Sequence, residues 1–231
     1  ELGADVLEIP TIKIVAPKRQ ELVAEVMGGL GSYQWIVFTS PNGVTSFFDY
    51  FFKAFDDIRG LGCVRVAAVG PATAAKLKEF HISVDAMPDK YLAKDISKAI
   101  AAKDDLENLR ILLLRAEVAN PELPKLLEDA GAIVDDVAVY QTVPETEDVT
   151  GAAARLLEDG ADWLTFASSS SVENFHARFP LPELLKKFPA LKTASIGPET
   201  TKALVALGLK PTVEAKQHTI AGLVQSVCAR T

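Results

Sequence analysis

The sequence predicts an α/β protein made of two parallel-sheet domains that arose by internal duplication. Three observations carry this expectation. Tyr33 to Phe51 reads against Ala161 to Phe179 at an offset of 128 residues, with identities at Trp35/Trp163, Phe38/Phe166, Ser40/Ser168, Val44/Val172, Phe47/Phe175 and Phe51/Phe179. A repeat of that period is a domain rather than a solenoid unit. Short continuous apolar runs alternate with helical patterns, which is how a parallel sheet covered on both faces is written. The chain of 231 residues, 48% hydrophobic and 24% charged, is long enough for two small domains.

Taken in order, Gly3 stands at a helix-stop position. Gly3-Ala4 matches Gly131-Ala132, where Gly131 closes a helical run from Glu122 to Ala130. A strand, Leu109 to Leu114, precedes that helix in the second copy, so roughly 20 to 30 residues, one strand and one helix of a βα unit, are expected before Glu1. Val6 to Ile9 reads as a strand. The chain then runs extended to Pro17, and its counterpart runs from Val134 to Pro144. Proline is excluded from the interior of a parallel strand, so both segments are expected to leave their sheets and form a paired connector.

A helix is expected from Pro17 to about Leu30 and a doubly buried strand from Trp35 to Phe38. Ser40-Pro41 then opens a helix carrying Val44, Phe47, Phe48 and Phe51 on one face. The strand Val64–Val69, a helix from Gly70-Pro71 to Phe80, the strand Ile82–Ala86 and a helix from about Leu92 to Ala102 follow. The strand Leu109–Leu114, its helix and the strand Ile133–Val137 complete a first set of five strands. The second half repeats the order with a helix through Ala152 to Leu157, strands Trp163–Phe166, Thr193–Ile196 and Leu209–Val213, and a last helix from Thr219 to about Ala229. Three strands are too few, so the N-terminal segment is assigned to the C-terminal part. The expected domains are therefore 1–9 with 145–231, an inserted domain 15–137, and a two-stranded linker of 10–14 and 138–144.

The net charge of −7 and the absence of a Lys/Arg run argue against nucleic acid as partner. Cys63 and Cys228 share no ligand or disulfide spacing and read as buried or incidental thiols. His81, His176 and His218 show no metal-ligand spacing, so no metal is expected. No apolar run reaches the approximately 20 residues that span a bilayer. A reducing, aqueous compartment such as the cytoplasm follows, and no membrane partner is expected. Glycine-rich nucleotide loops, the Gly-x-Ser-x-Gly elbow and His-Glu-x-x-His are all missing from the sequence.

Chemistry is expected at the carboxyl ends of the strands, where loops lead into helix N-termini. Four such loops match in pairs: Thr39-Ser40-Pro41-Asn42-Gly43 with Ala167-Ser168-Ser169-Ser170-Ser171, and Gly70-Pro71-Ala72-Thr73 with Gly197-Pro198-Glu199-Thr200. Each offers backbone N–H groups and hydroxyls at the positive end of a helix. Simple helix capping accounts for any one of them; the fourfold recurrence points to a polyanionic ligand held by two hinged domains across a cleft.

In this order, Val37-Phe38-Thr39-Ser40-Pro41-Asn42-Gly43-Val44, Ala68-Val69-Gly70-Pro71-Ala72-Thr73, Leu113-Leu114-Arg115, Val139-Tyr140-Gln141-Thr142, Phe166-Ala167-Ser168-Ser169 and Ser195-Ile196-Gly197-Pro198-Glu199-Thr200-Thr201 resemble the uroporphyrinogen-III synthase (HemD) family over nearly the whole chain. The resemblance implies two HemD-like, flavodoxin-like domains on a two-stranded β-ladder hinge. It also implies a cofactor-free monomer that closes the linear tetrapyrrole hydroxymethylbilane into uroporphyrinogen III, with loss of water and inversion of ring D through a spiro intermediate. The substrate carries eight carboxylates and would be received from hydroxymethylbilane synthase. Thr39, Ser40, Pro41, Asn42, Gly43, Gly70, Thr73, Ser168, Ser169, Ser170, Gly197 and Thr200 carry over as substrate-binding positions. Arg115 joins them, without the basic residue that often follows it in the family.

The resemblance makes Tyr140 the catalytic candidate, since a phenol is protonated at neutral pH and can serve as a general acid. An amphipathic packing residue between domains is the competing reading of Tyr140. A non-catalytic hinged binder of an anionic metabolite is the alternative for the whole chain. A phosphosugar-isomerase serine loop at Ser168 to Ser171 is disfavoured, because its twin at Thr39 to Gly43 is not serine-rich.

Overall fold

The structure is a computed structural model describing residues 3–90 and 93–230. The chain divides into two compact units, an insert of Ile14–Val143 and a discontinuous unit of Glu1–Lys13 with Pro144–Thr231. It crosses from one to the other twice.

The elements associated with the insert are β1 (Ile12–Val15), α1 (Gln20–Gly28), β2 (Trp35–Phe38), α2 (Pro41–Ala54), β3 (Arg65–Ala68), α3 (Pro71–Glu79), α4 (Ala93–Ala101), β4 (Arg110–Ala116), α5 (Glu122–Asp129) and β5 (Ile133–Pro144). The five strands form one sheet in the order β1-β5-β4-β2-β3, and the ladders from β5 to β3 are all parallel. All four residues of β2 are buried, as its unbroken apolar run requires of a strand covered on both faces.

Helix α2 shows how the local sequence sets the fold. Ser40 takes an extended conformation and caps it, Pro41 supplies the first helical residue with φ already fixed, and Val44, Phe47, Phe48 and Phe51 turn inward. Phe47, Phe48 and Phe51 are essentially inaccessible and pack with Phe38, the Phe38 and Phe47 rings meeting edge-on at 5.4 Å. Each such ring removes enough apolar surface from water to contribute about 1.5–3 kcal/mol. This core lies on one face of the sheet with residues of α1, α2 and α3; Ile96 and Ile100 of α4 and Leu123 and Leu127 of α5 fill the other.

The discontinuous unit contains α6 (Ala152–Asp159), β6 (Trp163–Phe166), α7 (Ser169–Arg178), α8 (Leu181–Lys187), β7 (Lys192–Ser195), α9 (Pro198–Ala206), β8 (Val213–Glu214) and α10 (Ile220–Cys228). Its sheet is three-stranded and parallel, β6-β7-β8. Arg178 of α7 fastens the incoming and outgoing chain by donating to the carbonyls of Pro10, Glu145 and Glu147.

Several expectations need correction. Val6–Ile9 forms no strand; Leu7 and Ile9 instead pack as irregular chain against the core around Leu164 and Phe175. Ile82–Ala86 is reduced to a single bridge between Ala67 and Ala86, because the Asp85 carboxylate takes the Val66 N–H (2.8 Å) that a neighbouring strand carbonyl would accept. Leu209–Val213 shrinks to Val213–Glu214, Pro211 having no N–H to give a ladder. Strand β5 runs on past its ladder with β4, which ends at Tyr140, and has β1 as its other neighbour in the sheet, with its proline at the last position, where no interior ladder bond is lost. The helix after Pro17 stops at Gly28 and gives way to a 3₁₀ turn at Leu30–Ser32. Helix α8 is a finding of the structure alone. Both cysteines are free and exposed rather than buried. The start of the helix expected at Leu92 lies outside the described residues.

Candidate active site

In the insert, β2 is flanked by β3 on one side and β4 on the other, and the helices that follow β2 and β4 cover opposite faces. The carboxyl ends of β2 and β4 therefore border a topological switch point, the place where open α/β sheets bind ligands. Thr39 and Ser40 follow Phe38, the last residue of β2, which pairs with Leu114 of β4 one residue before Arg115. Thr39 Oγ1 donates to the Leu114 carbonyl at 3.3 Å, tying the two loops together.

Tyr140 reaches the same place from β5. The β4–β5 register runs regularly to Arg115–Ala138 and then shifts, so that Ala116 is opposite Tyr140 and Val139 is the extra residue of a β-bulge. A bulge re-aims the side chain that follows it. Here Val137, Val139 and Tyr140 all enter the α1–α2–α3 core, which strict alternation would forbid. The Glu117 N–H donates to the Tyr140 carbonyl (2.8 Å) and holds the bulge closed. Tyr140 is 7% exposed, and its hydroxyl lies 3.0 Å from Ser40 Oγ, which also accepts the Gly43 N–H at 3.0 Å. A Cβ on Gly43 would stand 3.3 Å from Ser40 Oγ and 3.9 Å from Tyr140 Cε1, so the glycine leaves room for the hydroxyl pair.

Arg115 is placed differently from a free anion clamp. Its guanidinium meets Asp136 through two nitrogens, Nε at 2.6 Å, and its Nη1 donates to the Asn120 carbonyl. Only 9% of the residue is exposed. Arg115 thus pins the loop after β4 to β5. Asp136 and Asn120, its partners, carry no motif that sequence reading could have singled out.

The helix heads fall into two types. At α2 and α7 the capping serines are engaged: Ser168 Oγ accepts the Ser171 N–H at 3.0 Å, Ser171 reciprocates in a capping box, and Ser170 Oγ lies 3.1 Å from Ser168 Oγ. Pro41 contributes no N–H, which leaves that of exposed Asn42 at the head of α2; Ser169 holds the equivalent first position of α7. At α3 and α9 the N-cap is Gly70 or Gly197, no side chain caps either helix, and proline follows. Thr73 and Thr200 occupy the third position of these helices. Each is 3% exposed, and neither side chain makes a hydrogen bond among the described residues. Uncapped heads with a threonine hydroxyl are ready to receive a carboxylate.

The structure adds His218, for which the sequence carried no signal. A Cβ on Gly197 would stand 3.2 Å from its ring, so the imidazole lies directly against the head of α9. His176 has a structural task instead, its Nδ1 accepting the Leu181 N–H at 3.1 Å. A cavity of about 1050 Å³ lies elsewhere, along β8 between α9 and α10, and Thr200 and Gly197 do not line it. Among the described residues no group of His, Cys, Asp and Glu could hold a metal ion, and no helix is long and apolar enough to cross a membrane.

The fold and these loops define an α/β protein whose strand ends carry hydroxyls and helix N-termini. Comparison with known proteins gives the particular family. Residues 1–225 match the family model described as uroporphyrinogen-III synthase HemD. The porphyrin biosynthesis protein HemD of Ruminiclostridium josui is 28% identical over 98% of the chain, which spans only 44% of that relative's length. A uroporphyrinogen-III synthase of Chlorobaculum parvum is 27% identical over 91% of this chain and 82% of its own. The fold is similar to that of uroporphyrinogen-III synthetase from Helicobacter pylori, with a TM-score of 0.63 and 18% identity over 96% of this chain and 92% of that one. The chain belongs to the uroporphyrinogen-III synthase HemD family, whose members are cyclising lyases of tetrapyrrole biosynthesis.

Proposed function

We propose that the protein converts hydroxymethylbilane to uroporphyrinogen III, releasing water and inverting ring D, with Tyr140 as general acid. The observation that carries this reading is Tyr140 itself, a buried phenol turned by a β-bulge onto a hydroxyl-capped helix head at the switch point. Family membership supplies the reaction, and the switch point supplies a proton donor held at a fixed position.

Thr73 and Thr200, with the N–H groups of the uncapped α3 and α9 heads, are assigned to substrate carboxylates. Asn42 and Ser168 to Ser170 contribute in the same way at α2 and α7. A charge-assisted hydrogen bond is worth about 1.5–3 kcal/mol, so a few of them bring affinity to about the micromolar range after ordering costs. Folding a flexible bilane so that ring D meets the far end of the chain is chiefly a positioning task, for which few acid or base groups are needed. Similar local geometry recurs in the two units: Ser40 and Ser168 each accept the N–H three residues on, and Gly-Pro opens both α3 and α9. This recurrence supports an origin by duplication.

The competing reading, a non-catalytic binder of an anionic metabolite, makes the opposite kinetic prediction. With hydroxymethylbilane supplied, an enzyme accelerates its disappearance over spontaneous closure. A binder that sequesters the bilane slows it, and that result would reject the proposal.

A further inference from the structure

We infer that Ser40 is a positioning residue for Tyr140: its hydroxyl donates to the phenol oxygen and so turns the phenolic proton out toward the leaving hydroxyl of the substrate. The inference rests on the reading of Tyr140 as proton donor and adds a second residue to that step.

The 3.0 Å contact between Ser40 Oγ and the Tyr140 hydroxyl can be made in either direction. If Tyr140 donates, its only proton is directed into the protein and is withdrawn from any substrate. If Ser40 donates, the phenol accepts and its proton is free to leave. The Gly43 N–H favours the second arrangement. Ser40 Oγ already accepts the Gly43 N–H at 3.0 Å, and a hydroxyl that accepts one hydrogen bond becomes a better donor to the next. The chain Gly43 N–H to Ser40 O–H to Tyr140 O therefore runs from the head of α2 to the phenol.

The same chain prepares the product of proton transfer. When the Tyr140 O–H bond breaks, its proton forms a new O–H bond on the leaving hydroxyl, the carbon–oxygen bond of the hydroxymethyl group breaks, and its electron pair departs with water. Tyr140 is left as a phenolate. Ser40 already donates to that oxygen, and the positive end of α2 lies behind it. The phenolate later recovers a proton from the pyrrole carbon that closes the ring. Protons balance, and water is the only species lost.

Capping explains the Gly43 bond to Ser40 but not why a bulge directs a tyrosine onto the cap. Gly43 is part of the same arrangement, since a Cβ there would stand 3.3 Å from the Ser40 hydroxyl and crowd it.

The test is a mutant cycle on turnover of hydroxymethylbilane to the type III isomer. Ser40→Ala is expected to lower kcat about 10- to 100-fold, a share of what a positioned general acid supplies, with KM changed less than about threefold. Ser40→Asp keeps a good helix cap but carries no hydroxyl proton at neutral pH, and is expected to be as slow as Ser40→Ala. Ser40→Thr restores the donor and recovers turnover. Ser40→Ala added to Tyr140→Phe is expected to cost nothing further, because the relay then has nothing to orient. Additive losses in the double variant, recovery by Ser40→Asp, or an effect on KM alone would overturn the inference. If the unsubstituted protein forms no type III isomer, the proposed function fails instead.

Discussion

Removing the Asp136 carboxylate tests whether the Arg115 pair organises the loop beside the proposed proton donor. Asp136→Ala leaves a guanidinium that is 9% exposed beside an uncompensated cavity. Breaking a fully buried pair in this way costs about 3–5 kcal/mol. The Asp136 side chain keeps 34% of its exposure and Arg115 keeps the Asn120 carbonyl, so water can reach part of the vacated space. About 2–3 kcal/mol is therefore expected, which is a fall of about 5–10 °C in the melting temperature of a unit of this size. Trp35 is wholly buried in the insert and Trp163 belongs to the other unit. In a Trp163→Phe background, fluorescence-detected unfolding thus follows the insert alone. Adding Arg115→Met should recover most of the loss, since a buried pair replaced by apolar groups of similar volume is often neutral or better. A cost below about 0.5 kcal/mol for Asp136→Ala, or no recovery in the double variant, would refute the reasoning.

Thr73→Val and Thr200→Val should leave stability unchanged or slightly raised, because neither hydroxyl bonds to a described residue, while raising KM about 10- to 100-fold as one charge-assisted bond is lost. Steady-state kinetics beside a melting curve checks both halves. Tyr140→Phe should lower kcat at least about 100-fold without unfolding the protein, and unchanged turnover would assign Tyr140 to packing. Asp148 caps α6, and the Ala154 and Ala153 N–H groups hold its carboxyl below the usual carboxylate range. A depressed folded value means that its stabilisation is present above the unfolded value of about 3.9 and is lost as pH falls through the folded one. Asp148→Asn should therefore flatten the decline of melting temperature below about pH 4, and parallel curves would contradict this.

Much of the insert was legible because its signals are local. The apolar run of β2, the Ser-Pro start of α2 and its helical phenylalanine spacing each have one low-energy solution. What escaped depended on partners distant in sequence. Asp85 replaces a strand carbonyl with a side chain, so Ile82–Ala86 keeps the composition of a strand without its ladder. The sequence expected units of 15–137 and of 1–9 with 145–231, joined by 10–14 and 138–144, and the structure divides the chain within those two connecting segments, at Lys13/Ile14 and Val143/Pro144.

The loops of the candidate site were visible as motifs, but their states were not. Ser40, Gly43 and Tyr140 come together in the insert, while Arg115 turns away to Asp136. The aim of Tyr140 follows from the bulge after Arg115, which period-2 alternation does not encode, whereas Arg115 meets Asp136 across the regular part of the same ladder. His218 has no ligand spacing in the sequence, and only the fold brings it against Gly197.

The most direct test of the central claim is the isomer composition of the ring product formed from hydroxymethylbilane at increasing protein concentration. The account predicts that the type III isomer rises with protein until it displaces the spontaneously formed type I ring. A product that stays type I at every protein concentration would contradict it.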